Sequence, residues 1–357
     1  MITYKNARDN FLNLYEELSS KHNILLKNYP IVDDLTMDSI EFVPENKEKL
    51  LCITTGLHGI EGYLGSLLIE EFINKYIKQI DLKTTHIVLI HSINPYGMKY
   101  RRKVNENNVD LNRNFLKSFQ DLPINKGYEK NKTFLLPKKL GSNLIEKFKF
   151  YFGVIKLMLT SNKTDIKEAV LLGQYQYQKG FYYGGNKKEK STSILSDLFN
   201  QFVNEDYQQR IFIDIHTGYG PKNQMSIVNS PLEKRTVTEM ISDFNYPLIQ
   251  KTDGDDFYKI NGDMVDYLNA LIKNDDYATC FEFGTLGDST YAQIESLRLM
   301  IHENCVFHMK TNEKMTKKIK NEFIKLYSPN DEDWLQKAKQ DFHQATDGIL
   351  KHYHYIK

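Results

Sequence analysis

Apolar positions near the start of the chain recur at helical intervals. Phe11, Leu12, Leu14, Tyr15 and Leu18 predict an amphipathic helix over residues 7–21. Over residues 39–55 the spacing tightens into two short β-rich runs separated by the polar turn PENKEK, which predicts two strands, the second being LLCITT. That strand stops at Gly56. Leu64, Leu67, Leu68, Phe72 and Ile73 then mark one helical stripe, with Gly62 and Gly65 permitting close packing. THIVLIHSIN, residues 85–94, is a further strand, halted by NPYG. Strand, helix and strand in that order imply a parallel crossover unit and an α/β fold.

Two later apolar runs, RIFIDIHTGYG (210–220) and YATCFEFGTLG (277–287), also end in glycine and read as buried strands carrying polar side chains at their ends. Beyond the breaker SPNDED, the segment with Trp334, Leu335, Phe342, Ile349 and Leu350 reads as helix. Residues 121–149 and 186–190, rich in Lys, Asn, Gly and Pro, read as surface connections. With no internal repeat and no linker, one domain over residues 1–357 is expected, with the N-terminal helix and the C-terminal helices packed on it.

Composition narrows the classes of function. The 357 residues are 41% hydrophobic, enough for a large core, and 47 Lys and Arg against 46 Asp and Glu give a formal net charge of +1. A near-neutral chain offers no global field for a polyanion, so neither a nucleic-acid nor a membrane partner is expected. Cys52, Cys280 and Cys305 form no C-x-x-C pair, which disfavours a disulfide framework and a thiolate zinc site. The polar N-terminus lacks the apolar block of a secretory signal, and no apolar run reaches membrane-spanning length, so a soluble, cytoplasmic protein is expected.

Candidate chemistry gathers where strands end. In TTGLHGIEGYLGS (54–66), His58 and Glu61 stand three apart in a glycine-rich turn between strand and helix. Such a turn projects side chains into the crevice beyond strand ends, where the two could hold one metal ion; a packed turn whose histidine caps backbone groups fits the same residues. A catalytic zinc needs three N or O ligands and an open position, and His216, closing FIDIHTG, is the best third candidate. His86 and His91 lack a comparable carboxylate-bearing turn, and the terminal HYH reads as a frayed end.

Arg101, Arg102 and Arg113 cluster in YRRKVNENNVDLNRNF (100–115), in a first half whose only other arginine is Arg8. That suggests bidentate recognition of a carboxylate or oxyanion, against the plainer reading of a basic loop in solvent. Glu282 lies inside the apolar TCFEFGT, where burial would raise its pKa toward the range of a general base; a buried structural ion pair is the other reading.

The order of these pieces resembles the zinc carboxypeptidases of the carboxypeptidase A superfamily. NENNVDLNRNF, DIHTG, GQYQYQKGFYYGG (173–185) and EFGT resemble in particular a bacterial group filed as a domain of unknown function within it. The resemblance runs from about residue 10 to 350 and implies a mixed, mostly parallel twisted central sheet flanked by helices. It implies that one Zn2+ is held by His58, Glu61 and His216, with Asp110 bonding the outer nitrogen of His58. Asn112 and Arg113 would grip the substrate carboxylate, Arg102 (with Arg101 as the alternative) would stabilise the oxyanion, and Glu282 would be the general base. The implied activity is hydrolysis of an amide bond next to a free carboxylate, on a peptide or an acylated amino acid. An N-acyl amino acid deacylase of the aspartoacylase and succinylglutamate desuccinylase type is the nearest alternative, and a non-catalytic binding module, docking a partner through Lys-rich loops at 126–149, the further one. The mobile tyrosine of digestive relatives is left unassigned between Tyr258 and Tyr267.

Overall fold

Apolar runs without a polar alternate residue belong to strands covered on both faces. The computed structural model, which describes residues 2–252, 260–273 and 275–357, bears this out. One sheet contains β1 (Ile24–Val32), β2 (Leu35–Phe42), β3 (Lys49–Thr55), β4 (Thr85–His91), β5 (Gln209–Gly218), β6 (Met225–Asn229), β7 (Ile249–Lys251) and β8 (Tyr277–Gly284). Their spatial order is β1-β2-β4-β3-β5-β8-β6-β7. The central strands β4, β3, β5 and β8 run parallel, as do β6 and β7, while β1/β2, β2/β4 and β6/β8 pair antiparallel.

The helices are α1 (Tyr4–Ser19), α2 (Gly62–Tyr76), α3 (Pro95–Tyr100), α4 (Lys126–Leu135), α5 (Asn143–Thr160) and α6 (Lys163–Leu171), then α7 (Lys190–Asn204), α8 (Val237–Phe244), α9 (Met264–Asn269), α10 (Thr290–His308), α11 (Glu313–Tyr327) and α12 (Glu332–His352). Strand residues alternate between two cores, as the two-residue period requires. Leu51, Ile53, Ile87, Leu89, Ile211 and Ile213 meet Leu68 and Phe72 of α2 and Phe342 and Ile349 of α12. Leu50, Cys52, Val88, Ile90 and Phe212 meet Leu195, Phe199 and Phe202 of α7 on the other face. Nearly every central strand position is therefore buried.

Two expectations need correction. Residues 126–135 and 143–149, read as connections, are helical, forming α4 and the first turns of α5, begun by Asn125, whose side chain accepts from the Tyr128 N–H, and by Ser142. Their lysines hid an apolar stripe, Phe150, Val154 and Leu157, which packs with Tyr128 of α4 and Ile319 and Phe323 of α11. The C-terminal end is docked rather than frayed: Tyr355 and Ile356 are buried, and the Tyr355 hydroxyl donates to the Leu50 carbonyl at 2.8 Å. The two-strand reading of residues 39–55 corresponds to β2 and β3; β1, outside that range, has an alternation interrupted by Lys27, Asn28 and Pro30. All three cysteines are free. Among the described residues no helix is long and apolar enough to cross a membrane.

Candidate metal centre and its cavity

At the middle of the sheet β3 and β5 lie side by side, but the chain leaves them toward opposite edges: β3 crosses through α2 to β4, and the other neighbour of β5 is β8. Such a switch point opens a crevice beyond the carboxyl ends of the strands. His58 follows β3 by three residues, His216 stands near the end of β5, and Glu282 on β8 is paired in register with His216. The turn carrying His58 is possible because Gly56 has φ +70°, and a Cβ there would lie 2.1 Å from Ser92 Oγ. Gly59 sits so close to the Gly97 backbone that a Cβ would approach it to 2.2 Å. A short 3-10 turn, Gly59–Glu61, then delivers Glu61 at the mouth of α2.

The three predicted ligands converge. His58 Nδ1 lies 2.9 Å from Glu61 Oε1, His216 Nδ1 lies 3.0 Å from Glu61 Oε2, and the two Nδ1 atoms are 3.1 Å apart. Among the described residues this is the one such His, Cys, Asp or Glu group of three, its donor atoms all within 4.8 Å of one another. The outer nitrogens are already engaged. His58 Nε2 meets Asp110 Oδ1 at 3.1 Å, and His216 Nε2 meets Asp214 Oδ2. With both Nε2 atoms held by carboxylates, the two Nδ1 atoms face one another and Glu61, where, once both are deprotonated, they could share one cation with it. Two nitrogens and a carboxylate suit a catalytic zinc with an open position. The capping alternative for His58 fails, because its side chain makes no capping hydrogen bond.

Electrostatics follow from this packing. Burial would raise the Glu61 carboxyl, but the two imidazoles outweigh it and hold the pKa down at about 2. Burial likewise opposes ionisation of Asp110, yet Lys103 and His58 keep it well below the usual carboxylate range. Glu282 goes the other way: burial, with the like charge of Glu61, pushes it up to about 7. Its Oε1 accepts the Tyr219 N–H at 3.0 Å, and no cation among the described residues comes within ion-pair distance, so the structural ion-pair reading is not what the fold shows.

A cavity of about 230 Å³ opens beside the cluster, lined by His58, His216 and Glu282 and by Asn112, Arg113 and Lys103. Asn112 is fixed by its side chain, which donates to Asp263 Oδ2 at 2.8 Å and accepts from the Met264 N–H at 2.9 Å. Arg113 is buried and bonded to the Asn112 and Leu171 carbonyls, while its Nε has no partner. Among the described residues no carboxylate pairs with it. The GQYQYQKGFYYGG segment buttresses this arginine: the Tyr175 hydroxyl donates to the Arg113 carbonyl at 2.7 Å.

Arg101 and Arg102 do not reach the cluster. Arg101 is the left-handed cap of α3 (φ +54°); its guanidinium donates to the Ile2 carbonyl at 2.7 Å and lies over the Tyr63 ring. Arg102 is buried, its Nε 2.7 Å from Glu303 Oε1 and its guanidinium over Phe307. Neither is a basic loop residue in solvent, and Arg102 already has its carboxylate. Among the cations of YRRK, the one that lines the cavity is Lys103, 3.2 Å from Asp110 Oδ2 and over the Tyr182 ring at 4.7 Å. Burial disfavours its charge, but Asp110 more than restores it and the pKa is raised. Sequence reasoning passed over Lys103 by looking for arginine. It also missed Asp214, although the i, i+2 spacing to His216 put both on one face of a strand. Tyr267 packs on Phe115 and accepts from Asn200, away from the cavity, and Tyr258 lies outside the described residues.

No curated protein matches the chain. Similar solved structures include bovine thrombin-activatable fibrinolysis inhibitor in complex with tick carboxypeptidase inhibitor (13% identity, TM-score 0.48, 91% of this chain and 96% of that one). Carboxypeptidase A from Helicoverpa armigera is similar at 12% identity and TM-score 0.48, over 91% and 74% of the two chains. An aspartoacylase family protein from Mesorhizobium loti is similar at 13% identity and TM-score 0.39, over 79% and 67%. These are distant likenesses, and the assignment of chemistry rests on the residues above. A family model described as "Protein of unknown function (DUF2817)" matches residues 1–341, nearly the whole chain with every residue of the cluster and its cavity, and the chain belongs to that family.

Proposed function

We propose that the protein is a zinc-dependent hydrolase that cleaves an amide bond next to a free carboxylate. The observation that carries this is the meeting, in one cavity, of a His58, Glu61 and His216 cluster, a neighbouring carboxyl raised to about 7, and a buried arginine without a carboxylate partner among the described residues. A zinc ion bound by the three ligands would acidify a water molecule and polarise the scissile carbonyl. Glu282 Oε2, with Oε1 tied to the Tyr219 N–H, is the acceptor for the water proton and then its donor to the leaving nitrogen. Arg113, with Asn112 beside it, grips the substrate carboxylate and so fixes which amide bond lies next to Glu282.

Lys103 takes the part that the sequence resemblance gave to Arg102. Its ammonium lines the cavity and carries the charge needed to stabilise a developing oxyanion, while Arg102 is spent on Glu303. Asp110 and Asp214 orient the two imidazoles. The test is a substrate panel on the zinc-loaded protein: peptides with free C-termini, the same peptides amidated, and N-acyl amino acids. Cleavage of the free acids alone supports a peptidase. Preference for N-acyl amino acids selects the deacylase, and no turnover of any with full zinc occupancy sinks the enzymatic reading.

A further inference from the structure

Helix α5 has two apolar faces and the fold buries only one. Phe150, Val154 and Leu157 point into the core, whereas Leu144 (81% exposed), Phe148 (73%), Phe152 (62%), Ile155 (55%) and Leu159 (82%) stand in solvent. Their spacing of three and four residues lines them up along one side of the helix, joined at its edge by Ile145. Isolated exposed apolar residues are ordinary, but a continuous stripe along about four turns marks an interaction surface.

Charge identifies the occupant. At 100° per residue Lys147 falls on one border of the stripe and Lys149 and Lys156 on the other. From residue 138 to 163 the chain has six lysines and one carboxylate, Glu146, which is buried beneath the helix and bonded to Lys149. This is a local concentration of positive charge in a chain whose net charge is +1. A second copy of the chain meeting this face would bring lysine against lysine, with no exposed acid on the helix to answer them. A surface with an apolar interior and negative charge at its boundary answers both features.

We propose that α5 is an interfacial anchor that lays its apolar stripe into the headgroup region of a membrane rich in anionic lipid, with Lys147, Lys149 and Lys156 at the phosphate level. That no described helix spans a membrane and that the formal net charge is +1, from which no membrane partner was expected, do not bear on a helix lying in the interface. The following helix, α6, ends at Leu171, which lines the catalytic cavity and whose carbonyl accepts from Arg113. The segment that carries the anchor therefore also builds a wall of the site.

The test is co-sedimentation of the full chain with vesicles of phosphatidylcholine containing about one-third phosphatidylserine, against phosphatidylcholine alone. Wild type is expected to partition at least tenfold more strongly onto the anionic vesicles, and less in high salt. The F148S/F152S variant, altered only in solvent, is expected to keep its circular dichroism and thermal midpoint while losing at least tenfold in partitioning; K147E/K156E should lose the preference for phosphatidylserine. Equal binding by wild type and F148S/F152S overturns the proposal, as does equal binding to both vesicles. No binding to either also overturns it, and in that case a wild-type dimer that F148S/F152S makes monomeric would identify a second copy as the occupant.

Discussion

The substitution Glu282→Gln separates a proton acceptor from a metal ligand. Gln has the volume of Glu, and its amide oxygen can still accept the Tyr219 N–H that Glu282 Oε1 accepts at 3.0 Å, so the loop after β5 keeps its anchor. The donor atoms of the proposed metal centre come from His58, Glu61 and His216 and not from Glu282, so the variant should bind zinc as wild type does. What it loses is the lone pair proposed to take the water proton. General-base removal costs about 10²- to 10⁴-fold, or roughly 3–5 kcal/mol of transition-state stabilisation. Stability should hold or rise, because burial and the neighbouring Glu61 make an ionised carboxylate at this position unfavourable, which is why its pKa is driven up to about 7. The assay is kcat on a peptide with a free C-terminus, with zinc per chain measured by elemental analysis and the thermal midpoint recorded beside it. Loss of zinc from the variant would mean that Glu282 is a ligand, and full activity with full zinc would remove it from the chemistry altogether.

Adjacent residues 102 and 103 should differ in kcat. Lys103→Met is expected to lower kcat by about 10²-fold and, because it leaves the buried Asp110 without its cation, to cost stability as well, whereas Arg102→Met, which strands the buried Glu303, should cost about 3 kcal/mol by urea denaturation and leave kcat of the folded protein intact; loss of kcat in the Arg102 variant with kcat intact in the Lys103 variant would restore Arg102 to the oxyanion role. Arg113→Ala should raise KM for free-acid peptides by about 30-fold or more and erase the preference over amidated ones, measured by steady-state kinetics, since it removes the carboxylate's charge-assisted bonds. Burial depresses His91 and His302 to about 4, so between that value and the unfolded value near 6.5 the unfolded chain binds more protons, and stability rises with pH through this window and is lost on acidification. Each accounts for at most about 2 kcal/mol between pH 7.5 and 5, and His302→Gln should flatten the pH dependence of the urea midpoint; an unchanged slope would show that His302 titrates normally.

The strand runs and the turns that end them were legible in the sequence because their cause is local. LLCITT, FIDIH and TCFEF are mainly apolar over buried positions, with Thr54, Thr55, Asp214, His216 and Thr279 as buried polar exceptions, and glycine follows where the backbone must turn sharply, as at Gly56. His58, Glu61 and His216 could be selected for the same reason: each is a polar residue at or just beyond a strand end. Their convergence was decided by the sheet, since only the parallel register of β3 on β5 and of β5 on β8 brings residues 58, 216 and 282 to one crevice. The tertiary structure alone also chose among the cations of YRRK. Successive side chains leave a turn in different directions: after the left-handed Arg101, Arg102 pairs with Glu303 on α10, 201 residues away, while Lys103 turns to Asp110 and the cavity. Helix α5 was hidden for the opposite reason: its lysines and exposed phenylalanines blur the one-sided pattern that a helix with a single buried face would show.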